Sequence, residues 1–158
     1  EIPLRLVGSE MCIRDRKSNA PITRTFESKK QKGAEVDLSS VFANSVKKVV
    51  RTVILDQKDH LEVTDRLETG DKEAAVSWIM VTPAEAKITG KNRMELTKDG
   101  QRMLLTVDAD TEVEMKTWSN VPPHEYDFRN PGTIRVGFET VIPANRASQL
   151  KVRLIPLK

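Results

Sequence analysis

Residues 118–132 read WSNVPPHEYDFRNPG and gather the side chains best suited to chemistry. Trp118, Tyr126 and Phe128 are three of the chain's seven aromatics, and they fall within fifteen positions beside His124, Glu125, Asp127 and Arg129. Aromatic rings stack on sugar faces, and long loops often carry function. Trp118, His124, Tyr126 and Arg129 are therefore the candidate substrate-binding residues. The competing reading is that the rings anchor a long loop to its own domain or to a neighbouring one.

A second feature is a misfit. Leu61, Val63 and Leu67 alternate with polar neighbours, the period-2 pattern of a half-buried strand. Asp65 falls on the apolar side of that pattern. A three-residue loop at Gln57-Lys58-Asp59 pairs Leu55 with Leu61, Val53 with Val63, Arg51 with Asp65, and Val49 with Leu67. A two-residue loop would instead set Arg51 against Arg66, a like-charge cross-strand clash. The first register makes Arg51 and Asp65 a structural ion pair, since paired ions on an apolar face often specify arrangement rather than chemistry. It requires Asp59 to adopt the left-handed conformation, there being no glycine in the loop.

Other chemistries lack their residues. There is no G-x-S-x-G nucleophile elbow and no phosphate-cradling glycine loop. His60 and His124 are isolated from one another, so no metal set forms. Acidic residues are scattered over wet faces, so no carboxylate pair stands out. No catalytic residue, metal ligand or cofactor is expected in this stretch of chain.

The elements that would position these residues are strands. Alternating apolar residues mark strands near 22–26, 34–38, 46–56, 61–67, 76–80, 87–89, 94–96, 103–105, 113–117, 134–142 and 150–154. Residues 39–44 form at most a helical turn. Asp99-Gly100 is the strongest hairpin signal; it sets Leu96 against Met103 and Met94 against Leu105. Turns recur every 6 to 15 residues with no long helix, which predicts an all-β, antiparallel two-sheet β-sandwich of ten to eleven strands.

The 158 residues are enough for one domain with a real core. Lys and Arg number 26 against 23 acids, giving +3, and the charges are mixed along the chain with no basic block. That argues against a nucleic-acid partner. No apolar run approaches the roughly 20 residues that span a bilayer, so no membrane partner is expected. Residues 6–15, LVGSEMCIRD, resemble the conceptual translation of a transposase-type sequencing-library adapter. On that reading, residues 1–17 are an artefact or a disordered leader that carries Cys12, the single cysteine. Residues 18–158 are then the β-sandwich domain.

From about residue 20 onward the chain resembles the C-terminal β-sandwich region of heparinase II/III-like bacterial polysaccharide lyases. The resemblance rests on VDLSSVF (36–42), the R-x-V…V-T-D-R-L pattern over 51–67, VSWIMVTPAEAKITG (76–90), MKTWS (115–119), and PPHEYDFRNPGT (122–133) leading into VGFET (136–140). It implies a parent enzyme that cleaves uronic-acid-containing polysaccharides by β-elimination, with an N-terminal α/α toroid ahead of the sandwich. It implies periplasmic or secreted localisation and an acidic polysaccharide as partner. In that family the catalytic residues, and in some members a metal ion, lie on the toroid and at the start of the sandwich. Nothing in residues 18–158 matches that segment. The expectation is a C-terminal fragment, inactive by itself, that supports the toroid. The alternatives are a stand-alone carbohydrate-binding or adhesion module and a purely structural interaction domain. A sandwich without its leading strands would expose sheet edges.

Overall fold

The computed structural model describes residues 4–5, 20–122 and 129–157. Eleven strands follow residue 20: β2 (Ile22–Glu27), β3 (Gln31–Asp37), β4 (Lys48–Asp56), β5 (Leu61–Glu68), β6 (Ala74–Thr82), β7 (Glu85–Gly90), β8 (Arg93–Lys98), β9 (Gln101–Ala109), β10 (Val113–Ser119), β11 (Ile134–Ile142) and β12 (Ala147–Leu157). A two-residue strand, β1 (Leu4–Arg5), precedes them. The large sheet runs β2-β3-β4-β5-β12-β9-β8-β7, and the small sheet runs β1-β6-β11-β10. All pairings are antiparallel except that of β1 with β6. The chain is an all-β sandwich.

Alternation builds the core. Val63 and Leu67 of β5, Leu105 and Val107 of β9, and Leu150, Val152 and Leu154 of β12 line the inner face of the large sheet. Val76 and Trp78 of β6, Val113 and Met115 of β10, and Val136 and Phe138 of β11 close over them from the small sheet. Trp78 and Phe138 lie opposite each other and stack, with centroids 6.0 Å apart and planes 6° apart. Such a pair contributes roughly 0.5–1.5 kcal/mol beyond the area it buries.

Turn chemistry sets the registers. In the β4–β5 hairpin, Leu55 faces Leu61, Val53 faces Val63, Arg51 faces Asp65 and Val49 faces Leu67. Asp59 takes φ +58°, and Asp56 closes the turn by accepting the backbone N–H groups of Lys58 and His60 at 2.7 and 3.0 Å. These bonds, the His60 one foremost, hold the Asp56 carboxyl below the usual aspartate range. In the β8–β9 hairpin, Asp99 (φ +50°) and Gly100 (φ +76°) form the two-residue turn that pairs Leu96 with Met103. Both central residues sit at positive φ, as a turn matched to strand twist requires. Thr69, buried after β5, ties the two sheets at one corner. Its Oγ1 donates to Pro143 O at 2.6 Å and accepts from Arg146 N at 3.0 Å.

Candidate functional site on the outer face of the small sheet

The residues of β10, β11 and β6 that do not face the core point away from the large sheet. Their registers place Trp118 beside Arg135 and Arg135 beside Val81. The next row holds Lys116, Gly137 and Ile79, and the row after that Glu114, Glu139 and Ser77. Trp118 is half-buried and belongs to β10, so the strand runs further than alternation over 113–117 suggests, and the connecting loop is correspondingly shorter. Its backbone is claimed by Arg135 in the ladder, a cross-strand partner that local sequence pattern does not show.

The polar groups here are organised. Arg135 Nε donates to Ser119 O at 2.9 Å across the strand end. Asn120 Nδ2 donates to Thr133 Oγ1 at 2.7 Å, and that hydroxyl donates to Asn130 O at 2.7 Å, so the loop is cinched at its base. Lys116 Nζ contacts Glu139 Oε2 at 2.6 Å and Glu114 Oε2 at 3.0 Å. Those two carboxylates, Glu139 first, raise the Lys116 ammonium above its ordinary range. Gly137 puts no side chain between Lys116 and Ile79. A Cβ there would lie 1.9 Å from Trp78 O, so β11 must carry glycine at its closest approach to β6.

One end of this face therefore presents an indole and a guanidinium. The other end opens into a shallow groove of about 730 Å³ lined by Ser77, Glu112, Glu114, Glu139 and Val141. Its three carboxylates are each met by a lysine, Glu114 and Glu139 by Lys116 and Glu112 by Lys91. The first end carries the Trp118 indole and the Arg135 guanidinium, the latter donating to Ser119 O. Arg129 is exposed on the loop's return toward β11. His124 and Tyr126 lie outside the described residues. Of the four sequence candidates, the structure places Trp118 on a strand and Arg129 in the loop, and it adds Arg135. The signal for Arg135 was present in the alternation of 134–142, which puts position 135 on the wet face.

The ion pair is elsewhere, on the inner face of the large sheet. Arg51 Nε donates to Asp65 Oδ1 at 2.6 Å and Arg51 Nη2 donates to Oδ2 at 2.8 Å. The Asp65 side chain is fully buried. Each of its oxygens accepts a hydrogen bond from the guanidinium. His60 stands on the β4–β5 turn, its Nδ1 3.2 Å from Asp56 Oδ2. Among the described residues no group of three His, Cys, Asp or Glu side chains could hold a metal ion, and no helix is long and apolar enough to cross a membrane.

No family model and no curated protein matches the chain. Solved structures do. The fold is similar to a segment of heparinase III. A crystal structure of heparinase III superposes with a TM-score of 0.65 at 13% identity, over 87% of this chain and 21% of that one. A heparan sulfate lyase HepC mutant from Pedobacter heparinus gives 0.61 at 16% identity, over 89% of this chain and 22% of that one. The chain thus spans about a fifth of the length of these structures. At such identities the likeness is one of fold.

Proposed function

We propose that residues 18–158 are the non-catalytic C-terminal β-sandwich of a heparinase II/III-like polysaccharide lyase. In this reading the enzyme acts by β-elimination on uronic-acid-containing glycans, and the sandwich supports a catalytic α/α toroid outside these residues. The observation that carries it is the match of nearly the whole chain to one fifth of heparinase III. The chemistry of the described residues is consistent with a supporting role, because their carboxylates are either paired with cations or spread on wet faces. Periplasmic or secreted localisation belongs to the same proposal, as does the reading of residues 1–17 as foreign to the domain. The test is an assay for unsaturated uronate absorbance with the purified chain on heparan sulfate. The expected result is none; elimination by this chain alone would overturn the non-catalytic reading.

A second reading, a carbohydrate-binding module, draws support from the Trp118–Arg135 juxtaposition. It predicts calorimetrically measurable binding of heparan sulfate by the chain, weakened at least tenfold in Trp118→Ala. No heat of binding to heparan sulfate would remove it.

A further inference from the structure

The outer face of the large sheet, turned away from the small one, carries its own ordered set of side chains. The registers set them in rows across β2, β3, β4 and β5. The central row is Arg24, Glu35, Thr52 and Thr64. On one side of it lie Phe26, Gly33 and Ile54, and on the other Val50, Arg66 and Gln149. Two open grooves of about 450 and 510 Å³ run through these rows, and Glu35 and Arg66 line both of them. The grooves thus meet along one wall and cross the strands from β2 to β12.

Two guanidiniums stand over these grooves without a counter-ion. Arg102, Arg146 and Arg153 each meet a carboxylate. Among the described residues, neither Arg24 nor Arg66 does. Arg24 is held in another way. Its guanidinium carbon lies 5.6 Å from the centroid of the Phe26 ring, and that ring rests on the bare backbone of Gly33, where a Cβ would come within 2.6 Å of Phe26 Cζ. A cation stacked on a ring keeps its N–H groups pointing outward, free to donate. Glu35, directly across the ladder from Arg24, accepts instead from Thr23 Oγ1 at 3.0 Å. On the groove floor the Thr52 hydroxyl is buried and has no hydrogen-bond partner among the described residues. Buried polar groups are ordinarily paired, so an orphan at the base of a groove marks a place where an outside group fits.

We propose that the two grooves form one binding face for an acidic oligosaccharide, separate from the Trp118–Arg135 end of the small sheet. Arg24 and Arg66 take carboxylate or sulfate groups, for which the planar guanidinium fork is the matching donor. Glu35 and Gln149 supply acceptors for sugar hydroxyls, and Ile54 and Val50 give an aliphatic floor. A groove that crosses several strands suits a linear polymer better than a compact ligand. The choice of an acidic sugar rests on the lyase reading. The face itself rests on the two unpaired arginines and the unpartnered hydroxyl.

The experiment is calorimetric titration of the 158-residue chain with a heparan sulfate oligosaccharide. Arg24→Gln/Arg66→Gln is set against Lys87→Gln/Arg93→Gln, which removes the same charge from β7 and β8 at the far side of the same sheet. The first pair should weaken binding by roughly tenfold or more, as loss of charge-assisted hydrogen bonds implies. The second pair should leave it essentially unchanged, and the urea midpoints of both variants should stay at the parent value. Equal losses in the two variants would overturn the proposal, because attraction would then follow net charge and not this face. No binding by the parent chain would overturn it, as would binding by Arg24→Gln/Arg66→Gln at the parent's strength. The elimination assay reads the lyase proposal separately: unsaturated uronate made by this chain would sink the non-catalytic reading and leave the binding face standing, whereas absent binding without elimination would do the reverse.

Discussion

Two arginine–carboxylate pairs in the large sheet have nearly the same geometry and opposite surroundings. Arg51 and Asp65 join β4 to β5 at 2.6 and 2.8 Å through Nε and Nη2. Arg102 and Glu95 join β9 to β8 at 2.7 and 2.8 Å through the same two nitrogens. The first pair faces the core, with side chains 16% and 0% exposed; the second faces water, at 52% and 25%. Hydrogen-bond lengths alone would rank them as equals. Burial separates them, because a charge in the interior has no solvent to fall back on when its partner is lost, whereas an exposed charge is rehydrated at once.

The largest expected effect is therefore at the buried pair. Arg51→Ala strands a fully buried carboxylate, and Asp65→Ala strands a guanidinium nearly as deep. Each should cost about 3–5 kcal/mol of unfolding free energy, read from urea midpoints at constant slope. A loss near zero for either would mean that water reaches the site. The paired replacement Arg51→Met/Asp65→Leu sharpens the point. It leaves no orphaned charge, so it should be neutral or stabilising, by up to about 4 kcal/mol. If the pair locks the register of β4 on β5, the double variant will recover stability and yet show weakened exchange protection specific to that hairpin. A double variant as unstable as the single ones would show the ions to be net stabilising instead.

That pair was legible in the sequence because a hairpin register is a local problem. Once Gln57-Lys58-Asp59 is taken as the loop, every facing pair follows by counting, and the like-charge clash of Arg51 with Arg66 rejects the alternative. The Asp99-Gly100 hairpin was legible for the same reason. The small sheet was not. β6, β11 and β10 are neighbours in space but are separated by long stretches of chain, so nothing in the local pattern pairs Trp118 with Arg135 or Gly137 with Ile79. Alternation over 113–117 gives way at Trp118 to a polar, proline-rich stretch, so the local pattern marks a loop there; its strand character comes from β11, which lies beyond that loop. The parallel pairing at the edge of β6 was invisible for a further reason. Its partner residues sit in a leader with no strand pattern of its own.

Glu62 is an intermediate case on the outer face of β5, and pH is its probe. It accepts from Arg153 Nε at 2.9 Å and meets Lys151 Nζ at 3.5 Å. Burial pushes its carboxyl up, but the two cations outweigh that and leave it below the ordinary value of 4.5. A carboxylate with a depressed folded-state pKa contributes stability in full above its unfolded value and loses it as the pH falls through the folded one. The stability difference between the parent chain and Glu62→Gln should thus be constant from pH 7 to about 5, then shrink steadily below 4.5. Urea midpoints across that range measure it. A difference that persists at the acid end would assign the effect to packing rather than charge.

The smallest effect is expected at Glu95, and its smallness is what completes the contrast with Asp65. Arg102 holds the Glu95 carboxyl below its usual range, foremost through the direct hydrogen bond, so the pair is ionised and formed at neutral pH. Formation is not stabilisation, however. Both side chains are well hydrated when apart, and holding two long chains in one fork costs rotamer entropy that the screened attraction barely offsets. Glu95→Gln should leave the urea midpoint and the melting temperature essentially unchanged, and adding salt should not separate the variant from its parent. If Glu95→Gln instead destabilised the chain to the degree expected of Asp65→Ala, burial could not be what separates the two pairs. The cause would then have to be the strand edge itself, since Glu95 lies on β8, beside the outermost strand of the large sheet.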